Sequence, residues 1–178
     1  MKLKSLLFIV AFATLQFSSF GQVKYEGTHD DGFKSFHLDN GEFKYARYDK
    51  SRQSVTVYNL DHSKWKTVML PLPKEHYLDE IKSISEKTFN SDTLIELVYS
   101  CVEYHSNNNL EATSEYVDIR FTLYIINEVG EMILKVEDSN DMKIIESNGN
   151  RKLLIYKHIG QGANRTGQID VYSLPNNQ

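Results

Sequence analysis

The chain has 178 residues, a formal net charge of −4 and a hydrophobic fraction of 40%. That length suits one domain with a sizeable core. A mildly acidic chain without a basic cluster argues against nucleic acid and anionic membranes as partners. The only cysteine is Cys101, which excludes a disulfide within the chain. Stability must therefore come from burial and hydrogen bonding.

Residues 1–21 follow the three-part pattern of a secretory signal. Lys2 and Lys4 give a basic start, and Leu6–Leu15 is apolar except for one threonine. Ser19 and Gly21 are the small residues that a cut after Gly21 requires. We therefore predict a signal peptide over 1–21 and a single all-β domain over 22–178.

A retained membrane anchor is the weaker interpretation of this segment. Its apolar core has about ten residues, whereas a spanning helix needs roughly 20. A lipid anchor would require a cysteine just after the cut, and Cys101 lies far from it. We expect an exported protein, periplasmic or secreted, that is not inserted in a membrane once the signal is removed.

The region after the signal has the composition of an all-β fold. Short runs rich in Val, Ile, Thr and Tyr alternate with turn clusters of Gly, Asn, Asp and Ser. The best helix candidate is Lys74–Ile81, which follows Pro73. About twelve strands are predicted, near Val23–Glu26, Phe33–Leu38, Glu42–Tyr48, Ser54–Asn59, Lys66–Leu70, Ile81–Ser85, Leu94–Tyr104, Tyr116–Asn127, Met132–Val136, Met142–Glu146, Lys152–Ile159 and Gln168–Leu174.

Two of these runs alternate most clearly. In Tyr116–Asn127 the apolar residues from Val117 to Ile125 take one face and polar residues with Tyr124 take the other, which predicts one buried face. In Leu94–His105 a second apolar face is formed by Ile95, Leu97, Tyr99 and Cys101.

The strands also suggest an internal repeat of three units, Phe43–Pro73, Ile81–Asp138 and Met142–Pro175. The phrase VTVYNLDHSKWKTVML in the first unit parallels TLYIINEVGEMILKV in the second. Antiparallel units of this kind are typical of propeller blades. We predict a propeller-like arrangement, incomplete or of about three blades, with Val23–Glu26 completing the third unit. The alternative is a β-sandwich or an irregular barrel.

Four short phrases carry a resemblance: the signal ending SSFGQ, then YNLDHSKWKTVMLPLP, FNSDTLIELVYS and VYSLP. The chain resembles secreted proteins of Bacteroidota in which a propeller-like β region precedes a C-terminal type IX secretion sorting domain. The resemblance implies export and carries no catalytic motif. A sorting domain would begin at Pro175–Gln178, where the sequence ends, so none is expected here.

No catalytic or metal-binding pattern stands out. Cys101 and His105 lie roughly 13 Å apart if both are on one strand, too far for a nucleophile–base pair, so a buried structural thiol is predicted. The histidines lack zinc-site spacing, and the densest ligand group, His29–Asp39, does not match a calcium loop. We therefore predict no catalytic residues, no metal and no cofactor.

Surface aromatic residues are the best functional indication. We select Tyr58, Trp65, Tyr116 and Tyr124 as candidate ligand-binding residues, because aromatic faces on a rigid β scaffold suit sugars or peptides. The competing interpretation is cross-strand packing.

Three functional hypotheses follow. The leading one is an exported non-enzymatic β-repeat module that binds or scaffolds a protein or a glycan. The alternative is an exported hydrolase or glycan-active enzyme with a site built from distant loops. A third, a truncated relative of a larger protein, predicts an exposed apolar edge near Gln168–Leu174 and self-association.

Overall fold

The computed structural model describes residues 23–29, 32–106, 117–159 and 166–175. These ranges contain eleven strands and no helix. They are β1 (Phe33–His37), β2 (Phe43–Asp49), β3 (Ser54–Tyr58), β4 (Lys64–Met69), β5 (His76–Ser85), β6 (Glu96–Ser106), β7 (Val117–Asn127), β8 (Met132–Glu137), β9 (Ser139–Ser147), β10 (Asn150–Ile159) and β11 (Thr166–Ser173).

The strands form three open antiparallel sheets. The first sheet has the order β1-β2-β3-β4, the middle sheet β5-β6-β7-β8, and the third sheet β11-β10-β9. Each sheet is a meander in which neighbours along the chain pair directly and antiparallel. The prediction of an all-β fold built from antiparallel units is confirmed.

Two of the predicted secondary-structure elements differ from those in the structure. The helix predicted over Lys74–Ile81 is wrong, because β5 begins at His76 and pairs with β6 from Glu103 onward. Pairing along the sheet thus overrides a weak local preference. The strand predicted over Val23–Glu26 is also absent: residues 23–29 contain no strand and lie outside the unit Asp31–Gln178, which holds all eleven described strands.

The hairpins β3–β4 and β7–β8 have the same turn. In each, the amide of an asparagine, Asn59 or Asn127, donates to the carbonyl four residues later, at 2.9 and 3.0 Å. The residue three positions on, His62 or Gly130, returns a 3.0 Å bond to that asparagine's carbonyl and has positive φ, 65° and 84°. Both hairpins also have a register shift just before the asparagine. Each residue of the β3–β4 hairpin therefore has a corresponding residue in the β7–β8 hairpin; Tyr58, for example, corresponds to Ile126.

Two apolar cores hold the sheets together. The first core lies between the first and middle sheets, and the second lies between the middle and third sheets. The first core includes Val55, Val57, Leu97, Tyr99 and Ile126, each at most 1% exposed. The second core is formed by Phe89, Val98, Leu123, Ile125, Val136, Leu153 and Ile155. The middle sheet is therefore buried on both faces.

This double burial corrects the expectation for β7. Leu123 and Ile125 of its apolar face pack into the second core, whereas Ile119 is 36% exposed. Thr122 and Tyr124 on the opposite face are also buried, at 8% and 2% exposure. The first sheet covers that face, which the alternation of a single strand does not reveal. The apolar face predicted for Ile95, Leu97, Tyr99 and Cys101 is confirmed, since all four lie in the first core.

A fully buried carboxylate fixes the β5–β6 connection. Glu96 accepts hydrogen bonds from the Ser85 hydroxyl at 2.7 Å and from the amides of Thr88, Phe89 and Asn90 at 2.8, 2.9 and 2.7 Å. Four donors offset the cost of burying the charge, because unpaired buried polar groups cost about 1–3 kcal/mol each. The loop is thereby held against the middle sheet.

Ion pairs connect the first and middle sheets at their rims. Lys34 on β1 donates to Glu80 on β5 at 2.8 Å. Lys66 on β4 donates to both carboxylate oxygens of Glu128, at 2.8 and 2.7 Å. These groups are partly exposed, so the pairs set the relative position of the sheets more than they add stability.

Candidate binding surfaces on the end sheets

The four selected aromatic residues lie in different environments. Tyr58 is half-buried on the side of the first sheet that faces away from the middle sheet. Trp65 is half-buried against the first core, with the Nζ of Lys44 4.5 Å from its ring centre. Tyr116 lies outside the described residues. The three described residues, Tyr58, Trp65 and Tyr124, therefore do not form one site.

Tyr124 does not lie on an outward face. It is 2% exposed, and its ring stacks on that of Tyr99 with centroids 5.2 Å apart. Burial raises the pKa of both phenols above the usual range. This pair belongs to the core, so Tyr124 is not available to a ligand at the surface.

Tyr58 belongs to an aromatic surface that the sequence analysis missed. The β2–β3 register sets Tyr45 directly opposite Tyr58, and Phe43 precedes Tyr45 by two residues on the same face. Phe43 is 53% exposed. We call Phe43, Tyr45 and Tyr58 the outer face of the first sheet.

Further rings extend this surface. The Phe33 ring centre lies 4.7 Å from that of Tyr45 and 6.4 Å from that of Tyr58. The His62 ring stacks on Tyr45 at 5.6 Å with an interplanar angle of 10°. A cluster of this kind offers apolar area together with phenol and imidazole groups for hydrogen bonding. The signal in the sequence was the alternation in FKYARY, which gains meaning only once its register with β3 is known.

The third sheet has an apolar outer face of its own. Leu153 and Ile155 of β10 pack into the second core, so their neighbours Leu154 and Tyr156 point the other way. Leu154 is opposite Val171, and Tyr156 is opposite Ile169. We call Leu154, Tyr156, Ile169 and Val171 the outer face of the third sheet. Ile169 and Val171 are 52% and 62% exposed, as the hypothesis of an exposed apolar edge near Gln168–Leu174 predicts.

A cleft between the first and middle sheets contains acidic residues. It has a volume of about 270 Å³, and its lining includes Lys34, Asp79 and Glu80. Asp79 accepts a 2.7 Å hydrogen bond from Ser100, and Glu80 accepts from Lys34 and Lys82. The two lysines hold the pKa of Glu80 at about 2. Glu80 is therefore ionised at neutral pH and unsuited to donate a proton.

The cysteine and histidines do not form a reactive group. Burial, with the nearby Asp79 charge, raises the pKa of Cys101 to about 12, so its thiol stays protonated; the predicted buried thiol is confirmed. His105 Nε2 lies 2.8 Å from Glu103 Oε2, and His76 Nε2 lies 3.8 Å from the same oxygen. In the described part of the chain, no group of three or more His, Cys, Asp or Glu side chains is arranged to hold a metal ion.

Comparison with known protein families, with characterised proteins and with solved structures finds no match to this chain. The class of the protein therefore rests on its fold, an all-β stack of three antiparallel sheets, and on the surfaces of that stack.

Proposed function

We propose that this chain is an exported, non-enzymatic β-repeat module that binds or scaffolds other molecules through the outer faces of its end sheets. The observation that carries this proposal is the outer face of the first sheet. There, a half-exposed phenylalanine and two tyrosines lie side by side on a rigid sheet, next to the Phe33 and His62 rings. Aromatic side chains in such an arrangement provide large contact area at small entropic cost.

Export is supported by the sequence of residues 1–21, with its basic start, apolar core and small residues before the cut. Within the ranges that the structure describes, no helix is long and apolar enough to cross a membrane. The resemblance to secreted Bacteroidota proteins points the same way. Mass spectrometry of the protein from an exporting host should give Gln22 as the first residue; an intact Met1 would contradict export.

The cleft between the first and middle sheets gives the hydrolase alternative its best location. Glycoside hydrolysis needs one carboxyl that gives up a proton and a second that acts as base or nucleophile. Glu80 is held ionised by two lysines, and Asp79 accepts a hydrogen bond from Ser100. This arrangement favours the binding module over the enzyme.

Retention and turnover measured together test the proposal. The wild-type chain, a Tyr45→Ser/Tyr58→Ser double variant and the control Val129→Ser are incubated with chitin, cellulose, peptidoglycan, casein and immobilised wild-type chain. Val129 is 66% exposed but lies in the β7–β8 turn, away from both outer faces. We expect wild type and control to be retained on at least one of these materials, the double variant to be lost from it, and no product to be released.

Two results would overturn the proposal. One is product release that disappears in Asp79→Asn, which would establish catalysis in the cleft. The other is retention that the double variant leaves unchanged, or no retention on any of the five materials.

A further inference from the structure

The three sheets stack in one direction. Val55 and Val57 of β3 face the middle sheet, in the first core. The corresponding residues of the β7–β8 hairpin, Leu123 and Ile125, face the third sheet, in the second core. The same side of the first and middle sheets therefore points toward the next sheet along the chain. We call this side the front and the opposite side the back.

The backs of the two sheets correspond as well. Tyr45 pairs with Tyr58 in the first sheet, as Leu97 pairs with Ile126 in the middle sheet. On the middle sheet this back is covered: Leu97 and Ile126 are completely buried in the first core. Ile95, which corresponds to Phe43, is 2% exposed there, whereas Phe43 is 53% exposed. The first core therefore joins the front of the first sheet to the back of the middle sheet. In the second core the front of the middle sheet packs on one face of the third sheet, and we call that face the back of the third sheet.

Two faces are left over by this pattern. The outer face of the first sheet is a back, and the outer face of the third sheet is a front. No described sheet covers either of them. Both keep large apolar side chains more than half exposed, including Phe43, Ile169 and Val171. The middle sheet separates them within one chain, since neither core joins the first sheet to the third.

We propose that the partner is a second copy of this chain, and that the outer face of the first sheet of one copy packs on the outer face of the third sheet of the other. This inference rests on the proposed function, in which these faces bind, and it names their partner. The contact continues the front-to-back stacking that joins the sheets inside the chain. A protein face fits better than a sugar, because both surfaces are sheet faces with large apolar side chains, and sheet faces already pack together here. Charged neighbours such as Lys143, opposite Leu154, lie on the same side of the third sheet.

In this proposal a two-fold rotation relates the two copies, so the front-to-back contact is made twice. Two copies with three sheets each give a ring of six, within the four to eight sheets that ring-shaped β folds contain. Closure of a front-to-back contact by a two-fold rotation gives a defined dimer instead of an open fibre. Each copy then has both outer faces covered, as the middle sheet already has.

The test uses sedimentation of the full exported chain and of variants that each damage one face. Phe43→Asp changes only the outer face of the first sheet, and Val171→Asp only that of the third. Val129→Asp is the matched control in a turn. Because all three replaced side chains are more than half exposed, the variants should keep the wild-type circular dichroism spectrum.

We expect wild type and Val129→Asp to sediment with twice the chain mass, and each face variant alone to sediment as a monomer. A mixture of the two face variants should form a 1:1 dimer, because one intact front then meets one intact back. If Val171→Asp alone still dimerised through the first sheet, the front-to-back contact would be wrong.

A wild-type chain that stays monomeric up to about 1 mM, where even a contact of about 4 kcal/mol would show, would also overturn the inference. If such a monomer bound chitin or peptidoglycan and Tyr45→Ser/Tyr58→Ser abolished that binding, the proposed function would stand and only the partner would be wrong. A monomer that bound none of the test materials would contradict both.

Discussion

The first and middle sheets contain the same hairpin, yet their backs differ in how far they are covered. At one corresponding position the middle sheet has Ile126, completely buried, and the first sheet has Tyr58, half-buried beside other rings. An aliphatic residue suits a face that is always covered. The middle sheet also carries tyrosines on its back, Tyr99 and Tyr124, but these are buried in the first core, so the two backs differ in exposure. The exposure of the first sheet's back, where Phe43 is 53% exposed, is what supports the binding surface proposed there.

The polar interactions differ in the same way. In the middle sheet, Glu96 is completely buried and accepts four hydrogen bonds. At the sheet rims, the Lys34–Glu80 pair has both side chains more than 40% exposed. Charges in the middle of the stack should therefore matter much more for folding than charges at its surface.

Removing the buried carboxylate should have the largest effect. Glu96→Ala leaves one hydroxyl and three amide donors without an acceptor, so we expect the free energy of unfolding to fall by more than about 4 kcal/mol. Urea unfolding measures it. The control Glu137→Ala, whose side chain is 71% exposed, should change the free energy by about 0.5 kcal/mol or less. Similar values for the two variants would contradict the structural role of Glu96.

The corresponding hairpin positions give the next largest effect. Ile126→Ala removes completely buried volume and should cost about 2–5 kcal/mol of unfolding free energy. Tyr58→Ala should cost about 1 kcal/mol when measured at a concentration at which the chain is monomeric, because it removes only a partly exposed ring contact. Equal losses would mean that Tyr58 belongs to the core of the monomer, not to a binding surface.

The smallest effect concerns the rim pair and depends on pH. The folded-state pKa of Glu80, about 2, lies below its ordinary value of 4.5, because Lys34 and Lys82 bond to the carboxylate. Its stabilising contribution is thus complete above pH 4.5 and disappears as the pH falls toward 2. Since the side chain is 41% exposed, we expect less than about 1 kcal/mol. The unfolding free energies of wild type and Glu80→Gln should differ at pH 6 and converge near pH 2; a constant difference would exclude the ion pair as its cause.

Much of the secondary structure was predictable, because short-range patterns determine it. Alternation located β6 and β7, and turn clusters such as Asp39–Gly41 marked the ends of strands. The helix predicted over Lys74–Ile81 is wrong because β5 is defined by its pairing with β6, which lies on the far side of the Glu86–Ile95 loop. Local preference contains no information about such a partner.

The candidate surfaces were only partly predictable. Tyr58 was identified from its residue type, but Tyr124, chosen on the same grounds, is buried. Whether a face is covered depends on which sheet stacks on it, and that follows from the packing of whole sheets. For the same reason, Phe43 and Tyr45 became recognisable only through their register with β3 and their correspondence with Ile95 and Leu97.

The concentration dependence of the melting temperature tests most directly whether the open back of the first sheet is a binding surface for a second copy. Partner binding stabilises the folded state by mass action, so the Tm of the wild-type chain should rise with protein concentration. The Tm of Phe43→Asp should stay constant and meet the wild-type value at the lowest concentration. A wild-type Tm that does not change with concentration, or a Phe43→Asp chain that follows the wild-type curve, would contradict it.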